Sequence, residues 1–199
     1  MEKGFINAIK NRRSFYSLSR ESTIPDERIE EILKTSLLYA PSAMNSQSTR
    51  IVLLLGKNHD KFWDMLLDIM RGRLSKERFP STEAKLNGFK NSYGTILFFE
   101  DQNVVKNLQE RYPLYADNFP KWSQQAAAIN EFIIWTALED EGMGASLQHY
   151  NELIQSAVIK EWNLPESWLL NAQMPFGKPV EGPGEKSSEP IDLRLKIFK

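Results

Sequence analysis

Residues 122–141 constrain this chain most strongly. They form its longest periodic stretch, and from Ala126 to Leu138 apolar side chains, including Ile129, Phe132, Ile133, Ile134, Trp135 and Leu138, occupy nearly every side of the helix they predict. A helix of that kind needs cover on all sides, from protein or from lipid. Asn130 and Glu131 interrupt the run and Glu139-Asp140-Glu141 follow at once, which argues for protein. The segment therefore reads as the central helix of a folded domain. With 199 residues, 41% of them hydrophobic, one core suffices, and residues 1–199 read as a single domain with no interior boundary.

Two continuous apolar runs, Arg50-Ile-Val-Leu-Leu-Leu-Gly56 and Gly94-Thr-Ile-Leu-Phe-Phe-Glu100, have the form of buried strands. The stretch 57–91 between them reads as helical, with Phe62 and Trp63 on its apolar side and Asp64, Asp68 and Arg71 on its solvated side. Phe5, Ile6, Ala8 and Ile9 suggest a short amphipathic helix. Ile24-Pro25-Asp26 opens another, whose Ile29, Ile32, Leu33, Ser36 and Leu37 share a face. A further helix is expected at 151–162 and a strand within 167–176. Residues 191–198 alternate apolar and polar, as an edge strand does; lying after the Gly/Pro-dense stretch 175–190, they suit pairing with a partner subunit. A few strands sandwiched by helices, without regular β-α alternation, predict an α+β fold. An all-helical adaptor would leave the apolar runs at Ile51 and Thr95 unexplained.

The 25 Lys and Arg against 26 Asp and Glu leave a formal charge of -1, so no global field favours nucleic acid as a partner. The absence of cysteine excludes disulfides, thiolate metal sites and cysteine nucleophiles, and leaves only His59 and His149 as soft ligands. No metal site is expected, and redox chemistry would have to come from an organic cofactor. The first ten residues lack a secretory pattern and no segment has membrane-spanning length, so a cytoplasmic location is expected and a membrane partner is not.

Four short motifs can carry chemistry. Arg12-Arg13-Ser14 offers two guanidinium forks and a hydroxyl to a phosphate, although a solvated basic helix end would look the same. Pro41-Ser42-Ala43-Met44-Asn45-Ser46-Gln47 supplies amide donors and acceptors suited to the edge of a flavin pyrimidine, or simply a polar turn. Gly142-Met143-Gly144 reads as helix capping, but it delivers Gln148-His149-Tyr150 straight from the core, where backbone N–H groups could face a planar ligand. A lone histidine such as His149 is more often a packing residue than a catalytic base. Finally, Lys186, Ser187 and Ser188 lie on a loop that could close over a phosphate or remain plain surface. No GxGxxG, P-loop or HExxH pattern occurs.

Taken in order, Arg12-Arg13-Ser14, Pro41 to Gln47, the apolar helix ending in Gly142-x-Gly144, and the late Lys186 resemble the nitroreductase-like FMN family. The segments Trp135-Thr-Ala-Leu-Glu139, Gly144 to Asn151 and Met174-Pro-Phe-Gly-Lys-Pro179 are similar to the branch that includes the fatty-acid-repression-mutant protein and the copper-induced nitroreductase. The resemblance implies a homodimer whose central, mostly antiparallel sheet is flanked by helices, whose C-terminal strand is exchanged with the partner subunit, and which holds FMN at the interface. It implies that Arg12, Arg13 and Ser14 hold the phosphate and ribityl chain and that Lys186 and Ser188 complete the phosphate site. Gln148 and His149 would line the flavin, and Asn45 and Gln47 would come from the second subunit. Tyr16 stands where many relatives have a basic residue, and Ser188 where an arginine is common. The implied activity is ping-pong transfer of electrons from NADH or NADPH to a nitroaromatic, quinone or similar small acceptor, with loops 74–87 and 112–121 setting specificity and no catalytic side chain required. A flavin-binding regulatory or stress-response protein without significant turnover is the alternative.

Overall fold

The structure, a computed structural model, describes residues 4–199. The elements run α1 (Phe5–Asn11), β1 (Leu18–Ser19), α2 (Asp26–Tyr39), β2 (Thr49–Leu55), α3 (Gly56–Arg73), α4 (Phe79–Lys90), β3 (Gly94–Asp101), α5 (Gln102–Arg111), α6 (Phe119–Asp140), β4 (Gly144–Ala145), α7 (Asn151–Glu161) and β5 (Trp168–Pro179). Short 3-10 turns occupy Ala43–Asn45, Pro113–Asn118 and Ile191–Leu193. The sheet has the order β1-β5-β3-β2, with β4 also on β5, and every strand pair is antiparallel. The α+β expectation holds, and the all-helical one does not.

Burial on both faces explains why β3 is apolar without alternation. Ile96 and Phe98 point to one side and meet Ile29 and Leu33 of α2 and Ile134 and Leu138 of α6. Leu97 and Phe99 point to the other and meet Phe62, Trp63 and Leu66 of α3, Leu86 and Phe89 of α4, and Ile154 and Val158 of α7. Two cores thus sandwich the sheet, and each fully buried large side chain contributes about 1.5–3 kcal/mol. Trp63 Nε1 donates to Thr95 Oγ1 at 2.9 Å, and His59 is buried between Thr95 Oγ1 at 2.9 Å and the Lys90 carbonyl at 3.0 Å. Burial lowers its pKa. His59 is a packing histidine.

The stretch 57–91 is two helices rather than one: the chain breaks over residues 74–78, and Pro80 occupies the first turn of α4, where a missing N–H costs nothing. In α6 the polar Asn130 is reconciled with its apolar setting by Ser36, whose Oγ donates to Asn130 Oδ1 at 2.8 Å, and by a bond from Asn130 Nδ2 to the Ala126 carbonyl. The expected cover on all sides is incomplete within one chain, because Phe132 remains 40% exposed. The same holds for α1, where Ala8 is buried but Phe5 and Ile6 are not. Leu37 on α2 is likewise exposed.

Residues 191–198 do not form the expected strand. They begin with the 3-10 turn Ile191–Leu193 and continue without regular structure, every side chain exposed. A strand needs a ladder to satisfy its backbone, and among the described residues none pairs with this segment.

Candidate functional site

The side of β5 turned away from β3 brings the first and third motifs together. β5 pairs with β3 along one side; along the other it meets β1 (Leu18↔Pro179), β4 (Gly144↔Gly177) and the isolated bridge Gln148↔Gln173. Ser14 forms a parallel bridge to Ala145, and the Phe15 N–H donates to the Ala145 carbonyl at 3.0 Å. The turn that aims this chain is built by Gly142, in the left-handed region at φ 82°, with the Gly142 N–H on the Glu139 carbonyl and the Met143 N–H on the Leu138 carbonyl. Gly144 then passes so close to β1 that a Cβ there would sit 2.8 Å from Leu18 Cδ2 and 3.0 Å from Phe15.

Gln148 is buried, with its Nε2 on Ser146 Oγ at 3.1 Å and its backbone bonded in both directions to Gln173. Gln173, wholly buried in β5, also accepts from the Tyr150 N–H at 2.8 Å and donates to Asn151. It therefore fixes the whole 148–151 segment. His149, between these anchors, is exposed.

Arg12 and Arg13 are half-buried beside this edge. The Arg12 guanidinium lies 4.3 Å above the Trp135 ring of α6, and its pKa is lowered by burial first and by neighbouring Arg13 second. Among the described residues neither arginine joins an ion pair. Instead Arg13 Nη2 donates to the Gly184 carbonyl, tying the fourth motif's loop to the first. Lys186 and Ser188 lie further along that loop, both exposed. Arg12, Arg13 and the Ser14 hydroxyl form a donor set suited to a phosphate, on the same side of β5 as the buried amide of Gln148. The fit to a phosphorylated, planar cofactor is good.

Asn45 and Gln47 are not brought to this edge. Their loop packs against the other half of α6, where Pro41, Ser42 and Ala43 line a cavity of about 300 Å³ with Trp122, Gln125, Ala126 and Ile129. Met44, Asn45 and Gln47 all adopt positive φ, between 48° and 52°, a cluster that non-glycine residues adopt at a cost. The loop is held at its base: the Gln47 carbonyl accepts from Arg50 Nη1 at 2.7 Å, Arg50 Nη2 reaches Asp101 at 3.1 Å, and the Ser48 carbonyl accepts from the Asp101 N–H at 2.9 Å. Gln173 and Arg50 escaped the sequence reading. A glutamine inside an apolar strand was the available signal for the first; nothing local distinguished the second.

Comparison with known proteins identifies the fold and the family. Residues 9–178 match the Nitroreductase family. The chain is 32% identical over 193 residues to the putative nitroreductase HBN1 of Saccharomyces cerevisiae, covering 96% of each chain, and 32% identical over 185 residues to nitroreductase FRM2 of the same yeast, covering 92% of each. The nitroreductase CinD of Lactococcus lactis, solved in complex with chloramphenicol, superimposes with a TM-score of 0.90 at 45% identity, covering 98% of this chain and 100% of that one. Family match, full-length relatives and shared fold coincide, and the chain belongs to the nitroreductase family, whose members are oxidoreductases.

Proposed function

We propose that this protein is a cytoplasmic FMN-dependent NAD(P)H oxidoreductase that reduces nitroaromatics, quinones or similar small electron acceptors, working as a homodimer. The observation that carries the reading is the pair Arg12 and Arg13, charged, crowded and without a carboxylate among the described residues, next to the buried amide of Gln148 on the β5 edge. That edge matches FMN end for end: Arg12, Arg13, Ser14, Lys186 and Ser188 serve the phosphate and ribityl chain, and Gln148 and His149 serve the ring. When bound, FMN supplies the hydride chemistry. The chain's own residues bind it, orient it and leave one face open for the donor and then the acceptor, a ping-pong order.

Asn45 and Gln47 complete the site from the second subunit, in keeping with their separation from Arg12 along α6. The exposed side chains of Phe5, Ile6 and Phe132 supply an apolar surface for pairing. β2 is the outer strand of the sheet. Beside it, a groove of about 400 Å³ is lined by Leu33 and Leu37 of α2 and Ile51, Leu53 and Leu55 of β2. The partner's segment 191–198 adds there as a strand, with Ile191, Leu193, Leu195 and Ile197 as its apolar side chains. CinD has also been solved in complex with 4-nitrophenol, a flat nitroaromatic, which agrees with the proposed acceptor class.

The test is the visible absorption spectrum of the purified protein, before and after anaerobic addition of NADPH or NADH. Flavin bands that bleach are expected, and the nucleotide that bleaches them faster is the donor. Bands that persist with both nucleotides would favour the regulatory alternative. No flavin uptake from added FMN would overturn the assignment.

A further inference from the structure

Met44, Asn45 and Gln47 keep left-handed backbone although all three side chains are exposed. Packing returns nothing for that cost, and strain held without a packing return points to a segment shaped for presentation. Ser46 and Ser48 turn inward instead: Ser46 Oγ lies 3.5 Å from Ser48 Oγ, and Ser48 is buried. The loop thus offers the amides of Asn45 and Gln47 to whatever lies outside this chain.

Bonds to the peptide groups on either side of Gln47 fix this shape. Its N–H donates to Ser42 Oγ at 3.0 Å, and its carbonyl accepts from Arg50 Nη1 at 2.7 Å. Arg50 Nη1 also donates to the Thr49 carbonyl at 3.1 Å, and Arg50 Nη2 donates to Asp101 Oδ2 at 3.1 Å. Asp101 is itself anchored twice. Its N–H donates to the Ser48 carbonyl at 2.9 Å, and its Oδ1 caps α5 by accepting from the Asn103 N–H at 3.1 Å. The side chains of Arg50 and Asp101 are 30% and 14% exposed, so their charge-assisted bond is only partly screened by solvent. A guanidinium donates from a rigid plane, so fixing one end on Asp101 fixes where the other end meets the Gln47 carbonyl.

We propose that Arg50 and Asp101 are a positioning pair for flavin binding: by gripping the Gln47 carbonyl they hold the loop in the shape that presents Asn45 and Gln47 to the polar edge of the flavin ring. Neither Arg50 nor Asp101 is itself a flavin ligand. Without Arg50 the Gln47 peptide is free to turn and the loop relaxes to ordinary backbone angles, so the cost of ordering it falls on flavin binding. The inference rests on the flavin reading above, in which Asn45 and Gln47 serve the site from the second subunit, and adds the residues that shape that contribution.

The experiment is a double-mutant cycle read as the FMN dissociation constant, from flavin fluorescence, for wild type, Arg50→Ala, Asn45→Ala/Gln47→Ala and all three changes combined. Arg50→Ala should weaken FMN binding about tenfold when Asn45 and Gln47 are present and less than about twofold when they are not, because the loop then has nothing to present. An equal loss in both backgrounds, the mark of an arginine that only stabilises the fold, overturns the proposal. So does an Arg50→Ala or an Asn45→Ala/Gln47→Ala variant that binds FMN as wild type does. If Arg50→Ala does not fold, Arg50→Lys takes its place in the cycle: it keeps the charge but not the planar fork, and the same outcomes decide. A wild-type chain that takes up no FMN overturns the flavin reading and the pair with it. One that takes up FMN while the losses simply add overturns the pair alone.

Discussion

The guanidinium of Arg12 rests on the Trp135 ring and beside a second arginine, an arrangement that spends stability unless an anion arrives. Arg12→Ala should therefore weaken FMN retention at least tenfold, the loss of one charge-assisted contact, while enzyme still holding FMN turns over at nearly the parental rate. Flavin content after gel filtration, compared with activity per bound flavin, checks this; equal content in variant and parent would contradict the role. Glu131 has a simpler thermodynamic signature. Its ordinary carboxylate pKa of 4.5 rises to about 7 in the fold. Between these values the unfolded chain releases the proton that the native chain keeps, so stability falls as pH rises through that window and the penalty is constant above it. Glu131→Gln should raise stability by about 2 kcal/mol at pH 8 and leave it unchanged at pH 4. Thermal melts at the two pH values would show it, and an equal shift at both would refute it.

At the level of elements, the narrow passage at Gly144 aligns Ser14 with β4. Gly144→Ala drives a methyl group into Leu18 and Phe15, so β1 and the residues before it must shift; a loss of 1–3 kcal/mol is expected, together with reduced FMN content. Urea titration and flavin absorbance measure the two. Elements whose physics is local were legible in the sequence. β2 and β3 announced themselves as apolar runs, and α6 by its periodicity and glycine ending. The break at 74–78 was not legible because no glycine or proline falls within it, and only Pro80 beyond it marks a new start. Residues 191–198 carry a true strand pattern, yet pattern alone does not supply a ladder partner. β1 and β4, two residues each, are too short to leave any periodicity.

At the scale of the whole molecule, charge and order in the sequence pointed to Arg12, Arg13 and Ser14, which the fold sets beside β4, but the contacts that support the neighbouring segments were not legible. Gln173 and Arg50 act through backbone carbonyls and amides, which leave no mark in the local sequence pattern. The separation of Asn45 and Gln47 from Arg12 agrees with a site built by two copies. Light scattering should give twice the chain mass, and Phe132→Glu, which places a charge in the uncovered stripe of α6, should shift the protein to single chains and release flavin. A single-chain mass for the wild type would sink that arrangement. The exposed segment 191–198 carries a consequence for the protein's turnover in the cell. A stretch without strand or α-helix bearing Ile191, Leu193, Leu195, Ile197 and Phe198, all exposed, is what proteases and unfolding machines grip most readily. Seated on a partner it would be hidden, so the protein's lifetime would rise with its own abundance, and scarce, unpaired copies would be cleared first.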